Sequence, residues 1–130
     1  MFIKQTLQPA NISKPAGVWS PAVVVMWPGR LVFLSGFTSR DKTGAIVGDI
    51  AAQTRQVSDN LRETMLAAGG TLQDIMSVTM FVKNVKQFDS IHAVRRENFP
   101  SEPPAATMVE VAGLVDERPL IEINAIAALP

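Results

Sequence analysis

Residues 50–83 read IAAQTRQVSDNLRETMLAAGGTLQDIMSVTMFVK and decide the fold, because they change from a helical to an extended pattern. Over Ile50–Ala68, apolar residues recur mostly three or four positions apart, as on one side of an α-helix: Ala51, Val57, Leu61, Met65 and Ala68. Polar residues lie largely off this stripe: Gln53, Arg55, Asp59, Arg62 and Glu63. The Gly69-Gly70 pair ends the helix, and residues 71–74 form a short turn with Thr71 as its N-cap. Residues 75–83 then alternate, which predicts a strand.

The flanking sequence supplies the other strands. We predict them at residues 2–7, 22–27, 31–36, 105–112 and 120–127. The run Trp27-Pro28-Gly29-Arg30 predicts a hairpin turn in which Gly29 supplies a positive φ. Residues 41–44 predict a second turn, followed by a short extended piece to residue 47.

A second helix is predicted at residues 85–98, because apolar and aromatic side chains again share one side. Its inward face would carry Phe88, Ile91, His92, Arg95 and Phe99. Strands and two helices in this order predict an α+β fold of two layers, a mixed sheet with both helices on one face.

The composition bounds the function. The chain has 130 residues, the size of one domain spanning residues 1–130, and 12 basic residues balance 12 acidic ones, so nucleic acid is not an expected partner. Cysteine is absent and there is a single histidine, which excludes a thiolate nucleophile and makes a metal site unexpected. We expect no cofactor. The sequence shows no membrane span and no leader pattern, so we expect a cytoplasmic protein.

Several blocks resemble the RidA/YjgF family, also called endoribonuclease L-PSP-like, in order and in spacing. They are residues 29–36 (GRLVFLSG), 53–60 (QTRQVSDN), 67–75 (AAGGTLQDI), 81–84 (FVKN), 104–112 (PAATMVEVA) and 121–127 (IEINAIA). The resemblance implies a chorismate-mutase-like homotrimer whose small-molecule ligands lie in clefts between subunits. It also implies hydrolysis of enamines and imines to 2-oxo acids and ammonia. Apolar residues on both faces of strands 22–26 and 120–127 agree with a covered outer sheet face.

Two positions on the penultimate strand depart from the family's usual site. The arginine that binds the substrate carboxylate in typical members falls on Ala106, and the small residue two positions further falls on Met108. Residues two apart on a strand point the same way, so Ala106 and Met108 would form an apolar wall of the cleft. The chain therefore resembles a subgroup that lacks this arginine.

The resemblance assigns roles to other residues. Glu122 matches the glutamate that positions the attacking water, His92 matches a polar position of the second helix, and Ser35 and Gly36 match the backbone near the ligand. The family's N-terminal aromatic falls on Ala22 by count, and the nearby Trp19 is our candidate for its role.

Each assignment has a plainer alternative. Glu122 could form an ion pair between subunits, His92 could be a satisfied core residue, and the Ser35-Gly36 pair could simply end a strand. Arg95 could replace the missing arginine or, with Arg96, be a solvated pair. Arg40 is a similar candidate, and Glu110 fits an ion pair or ladder position better than catalysis.

Three functions remain open at the level of sequence. The first is an enzyme for a reactive imine, enamine or related catabolite, with Glu122 and His92 moving protons or water. The second is a trimeric, non-catalytic module that binds metabolites, suggested by the loss at Ala106. The third is a ribonuclease, which the neutral charge and single histidine disfavour.

Overall fold

The computed structural model describes residues 3–15 and 20–130 and contains six strands and two α-helices in that part of the chain. They are β1 (Ile3–Leu7), β2 (Ala22–Trp27), β3 (Gly29–Phe37), α1 (Ile50–Ala68), β4 (Ile75–Val82), α2 (Phe88–Asn98), β5 (Ala105–Glu110) and β6 (Ile121–Leu129). Both helices pack on one face of a six-stranded mixed sheet, which confirms the predicted fold class. No helix in the described ranges is long and apolar enough to cross a membrane.

The strand order β1-β2-β3-β6-β4-β5 places the last strand of the chain at the centre of the sheet. Only β4 and β5 run parallel, and the other neighbours are antiparallel. A parallel pair needs a long crossover, and α2 supplies it between β4 and β5. The residues of the central strand β6 alternate between buried and partly exposed, so its two faces differ in environment.

Helix α1 has the predicted bounds and the predicted C-terminal stop. The Asp49 side chain caps its first turn, and Gly69 ends it with φ of 89°. Gln53, which lies off the apolar stripe of α1, is nevertheless buried, since only 4% of it is exposed. Its Oε1 accepts hydrogen bonds from Ser39 Oγ at 3.0 Å and Leu120 N at 2.8 Å, and its Nε2 donates to Gly48 O at 3.1 Å. These bonds join α1 to two loops.

The β2–β3 hairpin differs from its prediction at Gly29. The strands pair Trp27 with Gly29 directly across Pro28, so the turn is one residue tighter than predicted. The glycines of positive φ in the described ranges are Gly44, Gly48 and Gly69, not Gly29. Gly29 is needed instead for close approach, because a Cβ atom there would lie 2.7 Å from Leu129 O.

Two further expectations change. The turn at residues 41–44 is present, with Asp41 Oδ1 accepting from the backbone of Thr43 and Ala45, but no strand follows it through residue 47. Residues 85–87 form a separate 3-10 turn before α2. The buried residues of α2 are Ile91 and Val94. Phe88 is 44% exposed and His92 and Arg95 are only partly buried, so the predicted inward face was correct only in part.

The second face of the sheet, away from the helices, carries large apolar side chains. Leu31 and Phe33 of β3 and Ile126 of β6 are each about two-fifths exposed (42%, 41% and 41%), and Phe33 and Ile126 are cross-strand partners. We call these three residues the outer apolar patch. A contiguous exposed patch of this kind is typical of a surface that another protein covers.

Candidate active site

A cavity of about 590 Å³ opens where β3 ends and β6 begins. Its lining combines the N-terminal segment, β3, the following loop, α1, the loop before β6 and β6 itself: Ile12, Ser13, Lys14, Ser35, Gly36, Phe37, Thr38, Arg40, Asn60, Val115, Asp116 and Glu122. The sequence-predicted residues Glu122, Ser35 and Gly36 are therefore together in one cavity.

Glu122 reaches this cavity because of its place on β6. Its strand neighbours Ile121 and Ile123 are buried beneath the helices, so Glu122 points to the opposite face of the sheet. Burial raises the pKa of the Glu122 carboxyl above its ordinary value of 4.5. No salt bridge neutralises Glu122 in the described part of the chain. A partly desolvated carboxyl of this kind is a candidate for holding and releasing a proton in a reaction.

A β-bulge in β3 brings the backbone of Gly36 against Glu122. The pairing of β3 with β6 shifts between Leu34 and Phe37, which leaves one extra residue in β3. A Cβ atom on Gly36 would lie 2.6 Å from Glu122 Oε2, so only glycine leaves room for this carboxylate position. Ser35 is held by its neighbours, since its N donates to Pro21 O at 2.9 Å and its Oγ donates to Ser20 O.

A second carboxyl, Asp116, lines the same cavity with the opposite shift. Hydrogen bonds from the Arg118 side chain and backbone lower the pKa of Asp116 to about 2. Asp116 therefore stays ionised at physiological pH, whereas the Glu122 carboxyl is biased toward its protonated form. Two carboxyls whose pKa values are moved apart in one cavity are typical of sites that separate a proton donor from a fixed charge.

Ala106 and Met108 lie elsewhere in the chain. Their strand partners across the β4–β5 ladder are Val78 and Met80, which are buried core residues on the helix-bearing face. Glu122 pairs instead with Phe81 and occupies the outer face. Within one chain, then, Ala106 and Met108 do not share a cavity with Glu122.

His92 and Arg95 belong to a second, smaller cavity of about 200 Å³ at the edge of α2. Its lining is His92, Arg95, Arg96, Phe99 and Pro103. The His92 ring stacks on Phe88 with ring centres 4.4 Å apart, and its Nδ1 is buried without a hydrogen-bond partner in the described residues. Desolvation lowers the pKa of the Arg95 guanidinium. The described candidate residues thus lie in two separate cavities and, for Ala106 and Met108, on β5.

Two residues of the larger cavity, Asn60 and Asp116, were not predicted as site residues, and one predicted residue lies outside the described part of the chain. Trp19 lies outside the described residues. Asn60 was visible only as part of a family block. Its Nδ2 donates to Thr38 O at 3.0 Å and Arg40 O at 2.8 Å, which fixes the cavity loop. Nothing in the sequence marked Asp116 as a site residue, because only the fold brings it into the cavity that contains Glu122. Among the described residues no group of three His, Cys, Asp or Glu could hold a metal ion.

The sequence and the fold are similar to those of known proteins. The Endoribonuclease L-PSP family profile matches residues 10–129. A RutC family protein of Pyrococcus horikoshii is 39% identical over 127 residues, which cover 96% of this chain and 98% of that one. The 3-aminoacrylate deaminase RutC of Acinetobacter baylyi is 33% identical over 126 residues, covering 95% and 97%. The crystal structure of the Escherichia coli YjgF gene product superposes with a TM-score of 0.84 at 32% identity, covering 95% and 97%.

The chain is thus similar in sequence and in fold to α+β proteins named as Rid or RutC family members. The chain belongs to the Endoribonuclease L-PSP (RidA/YjgF) family.

Proposed function

We propose that the chain is a Rid-family enzyme that hydrolyses a reactive imine or enamine at a cleft between the subunits of a homotrimer. The observation that carries this proposal is Glu122, a carboxyl of raised pKa in a cavity of about 590 Å³ with Gly36 fitted against it. A carboxyl whose pKa is raised by burial suits general acid–base chemistry, because it holds a proton more readily than an exposed carboxyl does. The relative named 3-aminoacrylate deaminase supports the same reaction class.

The chemistry needs one exchangeable proton and one water. Protonated Glu122 delivers its proton to the enamine, which becomes an iminium ion. The Glu122 carboxylate then removes a proton from a water molecule as the water oxygen bonds to the iminium carbon. Glu122, protonated by that step, passes its proton to the adduct nitrogen. The carbon–nitrogen bond then breaks as the hydroxyl proton returns to the Glu122 carboxylate, which yields a carbonyl compound, ammonia and protonated Glu122. Residues Ser35 and Gly36 would shape the wall that holds the reacting carbon near Glu122.

The trimer is part of the proposal, because one chain carries the candidate residues in separate places. Glu122 would meet, across a subunit boundary, His92 and Arg95 of α2 and Ala106 and Met108 of β5 from a neighbouring copy. The outer apolar patch of Leu31, Phe33 and Ile126 supports association, since the helices cover only the other face. Trp19 stays a candidate for the N-terminal side of the cleft, and the cytoplasm stays the expected location.

We further propose that the substrate differs from that of typical members. Ala106 offers no guanidinium where the family's usual arginine stands, and Met108 enlarges an apolar surface on the same face of β5. His92 would contact substrate from the second helix, as a proton-transfer or orienting group.

The test is ammonia release from enamines generated in the assay, including 3-aminoacrylate and 2-aminoacrylate. We compare the native protein with Glu122→Gln, and use Glu63→Gln as the matched control. Glu63 loses the same charge but lies away from the cavity, where it accepts a hydrogen bond from Asn11. We expect Glu122→Gln to lose at least about a hundredfold in rate and Glu63→Gln to be unchanged. Equal rates for native protein and Glu122→Gln would remove Glu122 from the reaction.

The alternative function is a non-catalytic trimeric module that binds metabolites, and the absence of an arginine at Ala106 favours it. Thermal shift measurements with 2-oxo acids and aromatic acids separate the two functions. Stabilisation by ligand without ammonia release from any enamine would support the binding module. A ribonuclease stays the least favoured function, because net charge is zero and RNA binding depends on clustered positive charge.

A further inference from the structure

The cavity that contains Glu122 has a wall that belongs to neither a strand nor a helix. This wall is the cavity loop, residues 38–40, which directly follows β3, and Thr38 lines the cavity. Phe37 pairs with Ile123 in the antiparallel β3–β6 ladder, and the same register places Thr38 opposite Glu122. The first residue of the cavity loop is therefore the cross-strand neighbour of the Glu122 carboxyl.

One side chain of α1, Asn60, holds both ends of this loop. Its Nδ2 donates to Thr38 O at 3.0 Å and to Arg40 O at 2.8 Å, so both amide protons are used. Its Oδ1 accepts from Gln56 Nε2 at 3.0 Å, one turn earlier on the helix. Asn60 is only 4% exposed. A flipped amide would bring its oxygen against two carbonyl oxygens, so the hydrogen bonds permit one orientation of Asn60.

Packing contributes little to the position of the cavity loop. Arg40 is exposed and Thr38 is partly exposed, which leaves Ser39 as the one buried residue of the three. A short irregular segment of this kind opens at low cost, because few buried contacts oppose its motion. The two hydrogen bonds from Asn60 therefore restrain the shape of the cavity wall beside Glu122.

A second amide on the same side of α1 joins the loop to β6. Gln53 lies two turns before Asn60. Its Oε1 accepts from Ser39 Oγ at 3.0 Å and from Leu120 N at 2.8 Å. Leu120 directly precedes β6 and lies two residues before Glu122. The loop is thus held at separate points, and loss of the Asn60 amide should move the loop relative to Glu122 while β6 stays in place.

We propose that Asn60 is a positioning residue of this site, which fixes the Thr38 side of the cavity so that a bound substrate presents its reacting carbon to Glu122. This role rests on the proposed function, since it assumes a reaction at Glu122. Asn60 exchanges no proton itself, because both of its amide hydrogens are committed to backbone carbonyls. Loss of the restraint should slow the bound substrate, because a small displacement of reacting groups has a large effect on rate.

Ammonia release from 2-aminoacrylate and 3-aminoacrylate generated in the assay tests this role, with kcat and KM measured separately. Asn60→Ala removes the restraint and leaves two carbonyls that water in the cavity can reach. Asn98→Ala is the matched control, because Asn98 also forms hydrogen bonds with both ends of its amide, to Val94 O and from Arg62, but lines neither cavity. We expect kcat to fall about tenfold to a hundredfold in Asn60→Ala, with KM within about threefold of the native value. Asn98→Ala should keep the native kcat.

Amide hydrogen exchange locates the change in the molecule. In Asn60→Ala, residues 39–41 should exchange faster than in the native protein, while the protection of β6 stays the same. Loss of protection in β6 to the same degree would show a general loosening of the fold and would overturn the positioning role.

A purely structural role of Asn60 gives other results. The Tm would then fall in Asn60→Ala while the kcat of the folded protein stays native, which would overturn the inference. Equal losses of kcat in Asn60→Ala and Asn98→Ala, or a change in KM alone, would overturn it as well. If Asn60→Ala does not fold, Gln56→Leu releases the Asn60 amide more mildly. In that variant kcat must fall about threefold or more, and a native kcat rejects the role.

The two proposals fail in different ways. If the native protein releases no ammonia from either enamine above the rate in buffer, the proposed function is rejected and the role of Asn60 falls with it. Turnover that is lost in Glu122→Gln but unchanged in Asn60→Ala sustains the enzyme and rejects the role of Asn60 alone.

Discussion

Gly36 and Glu122 fit together so closely that a single methyl group on Gly36 would reach 2.6 Å from the Glu122 Oε2 atom. The bulge in β3 produces this approach, and the alternation of β6 aims Glu122 at it. The carboxyl is thereby confined to one region of the cavity, beside an ionised Asp116. Confinement of this kind is what acid–base chemistry requires, because proton transfer depends on short and well-directed contacts.

We therefore predict that Gly36→Ala impairs turnover more than it impairs folding. The added methyl group meets the end of the Glu122 side chain, which can swing into the cavity, so unfolding should change by about 1 kcal/mol or less. The displaced carboxyl should lower kcat about tenfold to a hundredfold. Gly113→Ala is the control, since a Cβ atom at Gly113 meets nothing within 4 Å. Unchanged kcat in Gly36→Ala would show that the position of Glu122 is unimportant.

The raised pKa of Glu122 predicts how stability depends on pH. A carboxyl whose pKa is higher in the folded state favours folding while it is protonated. This contribution is present below its ordinary value of 4.5 and is lost as pH rises through the folded-state pKa. Glu122→Gln should thus have a higher Tm than the native protein at pH 8, and the difference should shrink toward pH 4. A difference in Tm that grows on acidification contradicts the assigned direction of the shift.

The outer apolar patch predicts the effect of a charge at its centre. Phe33→Asp should abolish the assembly, because the carboxylate would be buried against a second copy. Light scattering should then report a particle near 14.1 kDa rather than about three times that mass. Leu66→Asp introduces the same charge on the exposed side of α1, where Leu66 is 56% exposed, and should leave the assembly intact. A native protein that is already monomeric would reject the trimer.

The buried Gln53 predicts a cost for removing its amide. Gln53→Leu leaves the Leu120 N–H and the Gly48 C=O without their partner, and each such loss costs about 1–3 kcal/mol. We expect the free energy of unfolding in urea to fall by about 2–4 kcal/mol. Gln73→Leu is the control, because Gln73 is exposed and its side-chain amide donates a hydrogen bond to Asn98 O. Equal midpoints for Gln53→Leu and the native protein would mean that water replaces the amide.

The sequence predicted helices, strands and turns accurately where spacing and capping residues decide them. The bounds of α1 follow from apolar spacing and from Gly69, and the turn at Thr71 follows from its capping residues. Glu122 was recognisable as a site candidate because a glutamate between isoleucines on a buried strand is unusual. The predicted positive φ at Gly29 was wrong, and nothing in the local pattern indicated that Gln53 is buried, because distant backbone groups decide both environments.

Only the tertiary structure decided how the candidate residues are grouped. Neighbours in a sheet are set by strand order, and the central place of β6 between β3 and β4 brings Glu122 to Gly36. Ala106, two strands away from β6, faces the helices instead. The same is true of charge: the sequence shows that Arg95 and Asp116 are ionisable, but burial and hydrogen bonds set their pKa values. Spacing along a chain fixes local structure, whereas a site depends on contacts between segments that are far apart in sequence.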